Sequence, residues 1–225
     1  MNNLIVKSIL GLAFLLAFLG FMLFVSAGTL NYWQAWLYSA VFGVSTLFVT
    51  LYLMRYDQKL LASRVAAGPT AETQKTQQVI QSLASLFFIL IFIVAGLDTR
   101  FHWSAVPSVL SVIADVFVGL GFYIVFLVFK ENSYTSATIE VAKDQKVITT
   151  GPYSMVRHPM YAGASLLMIV TPLALGSWVA LPFPLLLIVA IAYRAIDEEK
   201  FLAAHLSGYD AYRQQVRYRI IPLVW

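Results

Sequence analysis

Two short stretches of this sequence hold the residues whose types and spacing could do chemistry: VITTGPYSMVRHPMYAG, from Val147 to Gly163, and YRAIDEEKF, from Tyr193 to Phe201. In the first, Pro159 suits the opening turn of a helix, because the amide hydrogen it lacks would have no partner there. The residue before a proline is pushed out of the helical region, so His158 is expected to be extended at the helix entry with its ring free to face a site. A helix N-terminus with free amides, flanked by Arg157 and His158, is a place for a carboxylate or a phosphate. Tyr161 falls within the same turn, and Gly163 admits the close approach of a ligand or of a second helix. A blander account exists for each: Arg157 snorkels to a membrane interface, and Tyr161 is one interfacial aromatic among many.

In the second stretch Arg194 and Glu198 stand four apart and share a helical face, for which an i,i+4 ion pair is the ordinary explanation. Asp197, Glu198 and Glu199 add negative charge at the edge of an apolar segment and, by topology, opposite the cationic motif. Carboxylates so placed can hold an ammonium, ribose hydroxyls or a sulfonium. The chain has no cysteine, and His102, His158 and His205 fall at no metal-ligand spacing, so no disulfide, thiolate nucleophile or metal site is expected.

The elements that must position these residues are membrane helices. With 60% hydrophobic and 12% charged residues and a mean hydropathy of +0.78, the chain is too apolar for an ordinary soluble domain. Spans are expected over about residues 4–27, 33–54, 79–97 and 105–129, each long enough to cross the hydrocarbon core. A signal peptide ending near Val25, Ser26 and Ala27 competes for the first of these, but its apolar run is long and further spans follow. Between the second and third spans Arg55 to Gln78 is polar, with Gly68 and Pro69 breaking any continuous helix, and reads as a loop or surface helix. Residues 162–175 and 178–193 are short and interrupted by Pro172, Gly176, Pro182 and Pro184, which reads as a helical hairpin that enters and returns.

The expected fold is therefore an all-α, polytopic membrane bundle of about five to six apolar segments, the last two a hairpin, with a cytoplasmic cofactor site. Residues 1–129 form the N-terminal transmembrane helices and 130–225 the core that carries the motif, within one integrated domain. Lys and Arg concentrate in the breaks after spans two and four and in the C-terminal tail, so the N-terminus and the motif face the cytoplasm. A bacterial inner membrane, or an equivalent cytoplasm-facing membrane, fits that orientation. The net charge of +4 sits in loops between spans and carries no nucleic-acid signature. Asp115 lies well inside the fourth span, either a functional carboxylate or a neutral one hydrogen-bonded between two helices.

The string GPYSMVRHPMYAG, followed by a hydrophobic hairpin, then RAIDEE and GYDAYRQQVRYRIIP, resembles the integral-membrane methyltransferases typified by isoprenylcysteine carboxyl methyltransferase, which include phospholipid and thiol methyltransferases. The resemblance extends over about Thr138 to Pro222. It implies S-adenosylmethionine as cofactor, held by Gln145, Lys146, Val147 and Ile148 largely through backbone, by Tyr153, by His158, Pro159, Met160 and Tyr161, and by Glu198. It also implies that Arg194 orients the acceptor. The sequence departs from the prenylcysteine enzymes at Gln145, where those often have histidine.

Methyl transfer suits such a set. A sulfonium loses its charge as the methyl leaves, so a dry, aromatic-lined site disfavours the charged ground state when the acceptor is an anion. A carboxylate acceptor is already ionised at neutral pH, whereas an amine or thiol needs a base, for which His158 or a glutamate is nearest. The expected function is methyl transfer to a lipophilic or membrane-associated acceptor, for example a prenylcysteine-like carboxylate, that enters from the lipid bilayer, with no nucleic acid and no metal involved. Two other classes compete: an NADPH-dependent membrane reductase of the sterol reductase type, and a small membrane transporter using Asp115.

Overall fold

A computed structural model of the chain describes residues 2–65, 74–135, 141 and 144–225. The expected break at Gly68 and Pro69, and the start of the motif region at Thr138, lie outside the described residues. The helices are α1 (Asn2–Ala27), α2 (Trp33–Tyr56), α3 (Gln58–Val65), α4 (Lys75–Phe101), α5 (Ser108–Glu131), α6 (Pro159–Ala174), α7 (Pro182–His205) and α8 (Tyr209–Gln215). Four of them, α1, α2, α4 and α5, are long and apolar enough to cross a membrane, and they cover the four expected spans. Their outer faces carry Phe14, Val44 and Val116, all strongly exposed. Such residues at mid-helix fit contact with lipid, whereas contiguous exposure to water would be costly.

The hairpin is unequal, which corrects the expectation of two short, broken arms. Pro182 and Pro184 do not interrupt the second arm. Pro182 starts α7, a position where its missing amide hydrogen costs nothing, and the helix then runs unbroken for 24 residues through Arg194 and Glu199. Pro172 lies inside α6, and the helix ends just beyond it in a Schellman turn: Ser177 N donates to Pro172 O at 2.8 Å and Gly176 N to Leu173 O at 3.0 Å. Gly176 has φ +79 there, a left-handed conformation that glycine adopts at least cost.

Between α1, α2, α4, α5 and the hairpin lies a core that includes Leu19, Leu23, Tyr38, Phe92 and Val118. Polar side chains inside it tie elements far apart in sequence. Tyr32 donates its hydroxyl to Leu175 O at 2.5 Å, and Asp98 accepts hydroxyls from Ser104 and Ser177, each at 2.5 Å. Asp115 does not act this way. Its carboxylate oxygens are buried without a hydrogen-bond partner, and the nearby polar pair is Tyr38 with Thr171 at 3.3 Å. The expectation of a hydrogen-bonded Asp115 joining two helices is therefore corrected.

The motif helix α6 is held against α5 by glycine on both sides. A Cβ at Gly121 would lie 2.9 Å from Gly163 O, and one at Gly163 would lie 2.9 Å from Gly121 O. Gly163 thus serves close approach of a helix, the small-residue packing common between membrane helices. Gly121→Ala is expected to destabilise the protein by about 1–3 kcal/mol by overpacking. Gly119→Ala, where a Cβ meets nothing within 4 Å, should be neutral. Melting temperatures of both variants in the same detergent test this; equal effects would contradict the close crossing.

Candidate functional site

Gly151 to Ser154 form a single 3-10 turn that opens on Gly151 with φ +57. Pro159 then begins α6 with His158 as its N-cap at φ −122 and ψ 64, outside the helical region as expected. Both backbone amides before the helix are taken by the C-terminal tail: Arg157 N donates to Tyr218 O at 2.9 Å and His158 N to Arg219 O at 2.8 Å. The motif is thus clamped from behind by residues far along the chain.

The clamp is also ionic. Arg157 does not snorkel to an interface. It is buried, with Nε donating to Glu199 Oε1 at 2.6 Å and Nη1 donating to Val216 O and Arg217 O, each at 2.8 Å. His158 Nε2 lies 3.3 Å from the same Glu199 oxygen, and Arg219 Nε donates to Glu199 Oε2 at 3.0 Å. Burial raises the Glu199 pKa, but hydrogen bonds from His158, Arg157 and Arg219 outweigh it and hold the group at about 2. Glu199 is an ionised hub for Arg157, Arg219 and His158, and its contact with the His158 ring helps fix that ring beside the cavity.

Arg194 and Glu198 are linked through a third residue. Tyr161 donates its hydroxyl to Glu198 Oε2 at 2.6 Å and accepts from Arg194 Nε at 3.1 Å. Arg194 Nη1 also donates to Gln77 Oε1 at 3.0 Å, and Gln77 Nε2 donates to Asp197 Oδ2 at 3.1 Å. The expected i,i+4 relation is present as a shared face, but the contacts make Arg194, Tyr161 and Glu198 one network. The Tyr161 ring stacks on His158 with centroids 5.4 Å apart and planes 14° apart.

One cavity, of about 260 Å³, gathers every residue singled out from the sequence for the site. Gln145, Lys146, Val147 and Ile148 line it from the non-helical segment before the turn, Tyr153 from the turn, His158 to Tyr161 from the start of α6, and Arg194 and Glu198 from α7. Tyr153 is fixed by Asn132, whose Nδ2 donates to its hydroxyl at 2.9 Å, and by Tyr212, whose hydroxyl donates to Tyr153 O at 2.7 Å.

The sequence reading did not assign Arg64, Tyr209 and Tyr212 to this cavity, and the structure adds them. The Tyr209 hydroxyl and Arg64 Nε and Nη2 are buried without a hydrogen-bond partner. Burial lowers the Arg64 pKa to about 10, so the guanidinium still carries its charge at neutral pH. Tyr209 and Tyr212 belong to the quoted string GYDAYRQQ, so a signal for them was present. Arg64 comes from a polar stretch with no pattern to mark it. Among the described residues, no group of three or more His, Asp or Glu is placed to hold a metal ion.

Residues 109–207 match the family model described as phospholipid methyltransferase. No curated protein matches the chain.

Proposed function

We propose, from the match of residues 109–207 to the family model described as phospholipid methyltransferase, that this cavity binds S-adenosylmethionine and that the protein transfers its methyl group to a lipophilic, membrane-associated acceptor bearing an anionic group. The observation that carries the reading is the convergence of the motif, the non-helical segment before it and Glu198 on one cavity. The residues present fit such a donor. Glu198 offers a carboxylate to an ammonium or to ribose hydroxyls, the unpartnered Tyr209 hydroxyl can take one further hydrogen bond, and Tyr153, Tyr161 and Tyr212 line the walls with aromatic rings that favour a cation.

When bound, the donor supplies an electrophilic methyl on a sulfonium. The chain itself contributes placement. Tyr161 holds the Glu198 carboxylate by its hydroxyl, Glu199 fixes the His158 ring, and the tail beyond Val216 holds the helix entry closed against water. Arg194 reaches the cavity from α7 and presents a positive edge to the acceptor, which favours an anion such as a prenylcysteine-like carboxylate. Such an acceptor is already ionised and needs no base, so the catalytic contribution is alignment of donor and acceptor.

Tyr161→Ala and Glu198→Gln are each expected to weaken S-adenosylmethionine binding by about tenfold to a hundredfold, the value of one charge-assisted hydrogen bond, with the protein still folded. Unchanged affinity in both variants would remove the cofactor assignment. The orientation has its own test. A cysteine replacing the exposed Ser207, near the cavity, should be labelled only from the cytoplasmic side, and one replacing the exposed Thr29, between α1 and α2, only from the opposite side. The reverse pattern would cut the site off from a cytosolic donor.

A further inference from the structure

Arg64 stands at the junction of two cavities. It lines the site described above and also a larger cavity of about 560 Å³ between α1, α2, α3 and α5. That volume falls within the about 300–1,000 Å³ usual for small-ligand sites. Its walls are Gly11, Leu12, Phe14 and Leu15 of α1, Val49 and Leu53 of α2, Leu61 of α3, and Phe122, Val125 and Phe129 of α5, with Lys7 and Arg64 its charged residues. Of the hydroxyls there, Ser8 and Thr46 are satisfied within their own helices, by Leu4 O and Phe42 O, and Thr50 is the third. What they leave is an apolar surface in the half of the bundle that holds the motif.

The guanidinium of Arg64 lies 4.8 Å over the Phe129 ring, and its Nε and Nη2 are buried without a hydrogen-bond partner. A buried cation with unused donors is costly unless a ligand uses them. Two donors of one planar fork match the two oxygens of a carboxylate.

We propose that Arg64 grips the carboxylate of the methyl acceptor while the acceptor's single apolar chain lies in the cavity between α1, α2, α3 and α5. This rests on the methyltransferase reading and adds the place of the acceptor and the residue that first holds its charge. Arg64 then hands the carboxylate from the lipid-side cavity to the site shared with Arg194, and it lies outside the segment that matches the methyltransferase family.

The test uses the full chain in nanodiscs of zwitterionic lipid, with a pyrene-labelled C16 carboxylic acid, the matching alcohol and the matching alkyl phosphate as probes. Wild-type protein is expected to bind the acid about tenfold to a hundredfold more tightly than the alcohol. Arg64→Gln should bring the acid down to the level of the alcohol, a loss read without the donor present. Gly11→Phe, at a cavity wall where a Cβ meets nothing within 4 Å, should weaken acid and alcohol alike. Equal binding of acid and alcohol by the wild type overturns the proposal, as does preference for the phosphate alone. Loss of donor binding in Arg64→Gln would place Arg64 in the donor site and overturn it too. Failure of the wild type to bind S-adenosylmethionine would instead strike the methyltransferase reading, since the contrast between acid and alcohol is read without the donor.

Discussion

Glu199→Ala is expected to cost about 3–5 kcal/mol, because it leaves the buried Arg157 guanidinium without its counter-charge and releases His158 and Arg219 at the same time. The loss should appear as a lowered melting temperature and as proteolysis of the tail beyond Val216, whose carbonyls Arg157 also holds. Glu199→Gln, which keeps the shape and loses the charge, should be damaged as well. Acid acts on the same group. The folded pKa of Glu199, about 2, lies below its ordinary 4.5, so its contribution is complete above about 4.5 and is lost as pH falls toward 2. A Glu199→Ala protein as stable as the wild type at neutral pH would show that the hub is not what closes the site.

The second large effect separates Arg194 from Glu198. If they formed only an exposed ion pair, either substitution would cost at most about 1 kcal/mol and barely touch turnover. The proposed function predicts a division instead. Glu198→Ala should lose donor binding, whereas Arg194→Ala should retain it within about fivefold, since it removes one hydrogen bond to Tyr161 and leaves the one from Tyr161 to Glu198 in place. Arg194→Ala should still cut single-turnover methyl transfer by about a hundredfold through misplacement of the acceptor. Arg194→Lys should remain impaired, because an ammonium cannot reproduce the planar fork that donates to Tyr161 and Gln77 at once. Equal loss of donor binding in the two alanine variants would show that the division of roles is wrong.

Much of this site was legible because local rules dictate it. Pro159 fixes where α6 begins and Gly151 where the preceding turn falls, so the positions of His158 and Tyr161 follow from neighbours in sequence. The four-residue spacing of Arg194 and Glu198 likewise puts both on one face. Glu199 was not legible as a hub. Adjacent residues on a helix point about 100° apart, and which of two carboxylates meets the motif depends on where the tail from Val216 to Arg219 packs. The snorkelling account of Arg157 failed for the same reason, since its partners lie on α7 and in that tail. Gln77 and Arg64 reach the site from α4 and α3, and no periodicity marks a polar residue whose partner is set by bundle packing. The prolines of the hairpin show the opposite error: Pro182 and Pro184 read as breaks, yet at the first turn of a helix they are compatible with its start.

The central claim, that the cavity at the entry of α6 is an S-adenosylmethionine site, is tested most directly by calorimetric titration of the purified protein in nanodiscs with three ligands: S-adenosylmethionine, its demethylated product S-adenosylhomocysteine, and NADPH. Saturable binding of the first two, weakened in Tyr161→Ala, with none of NADPH, is the predicted result. Binding of NADPH without S-adenosylmethionine would contradict it and favour a membrane reductase.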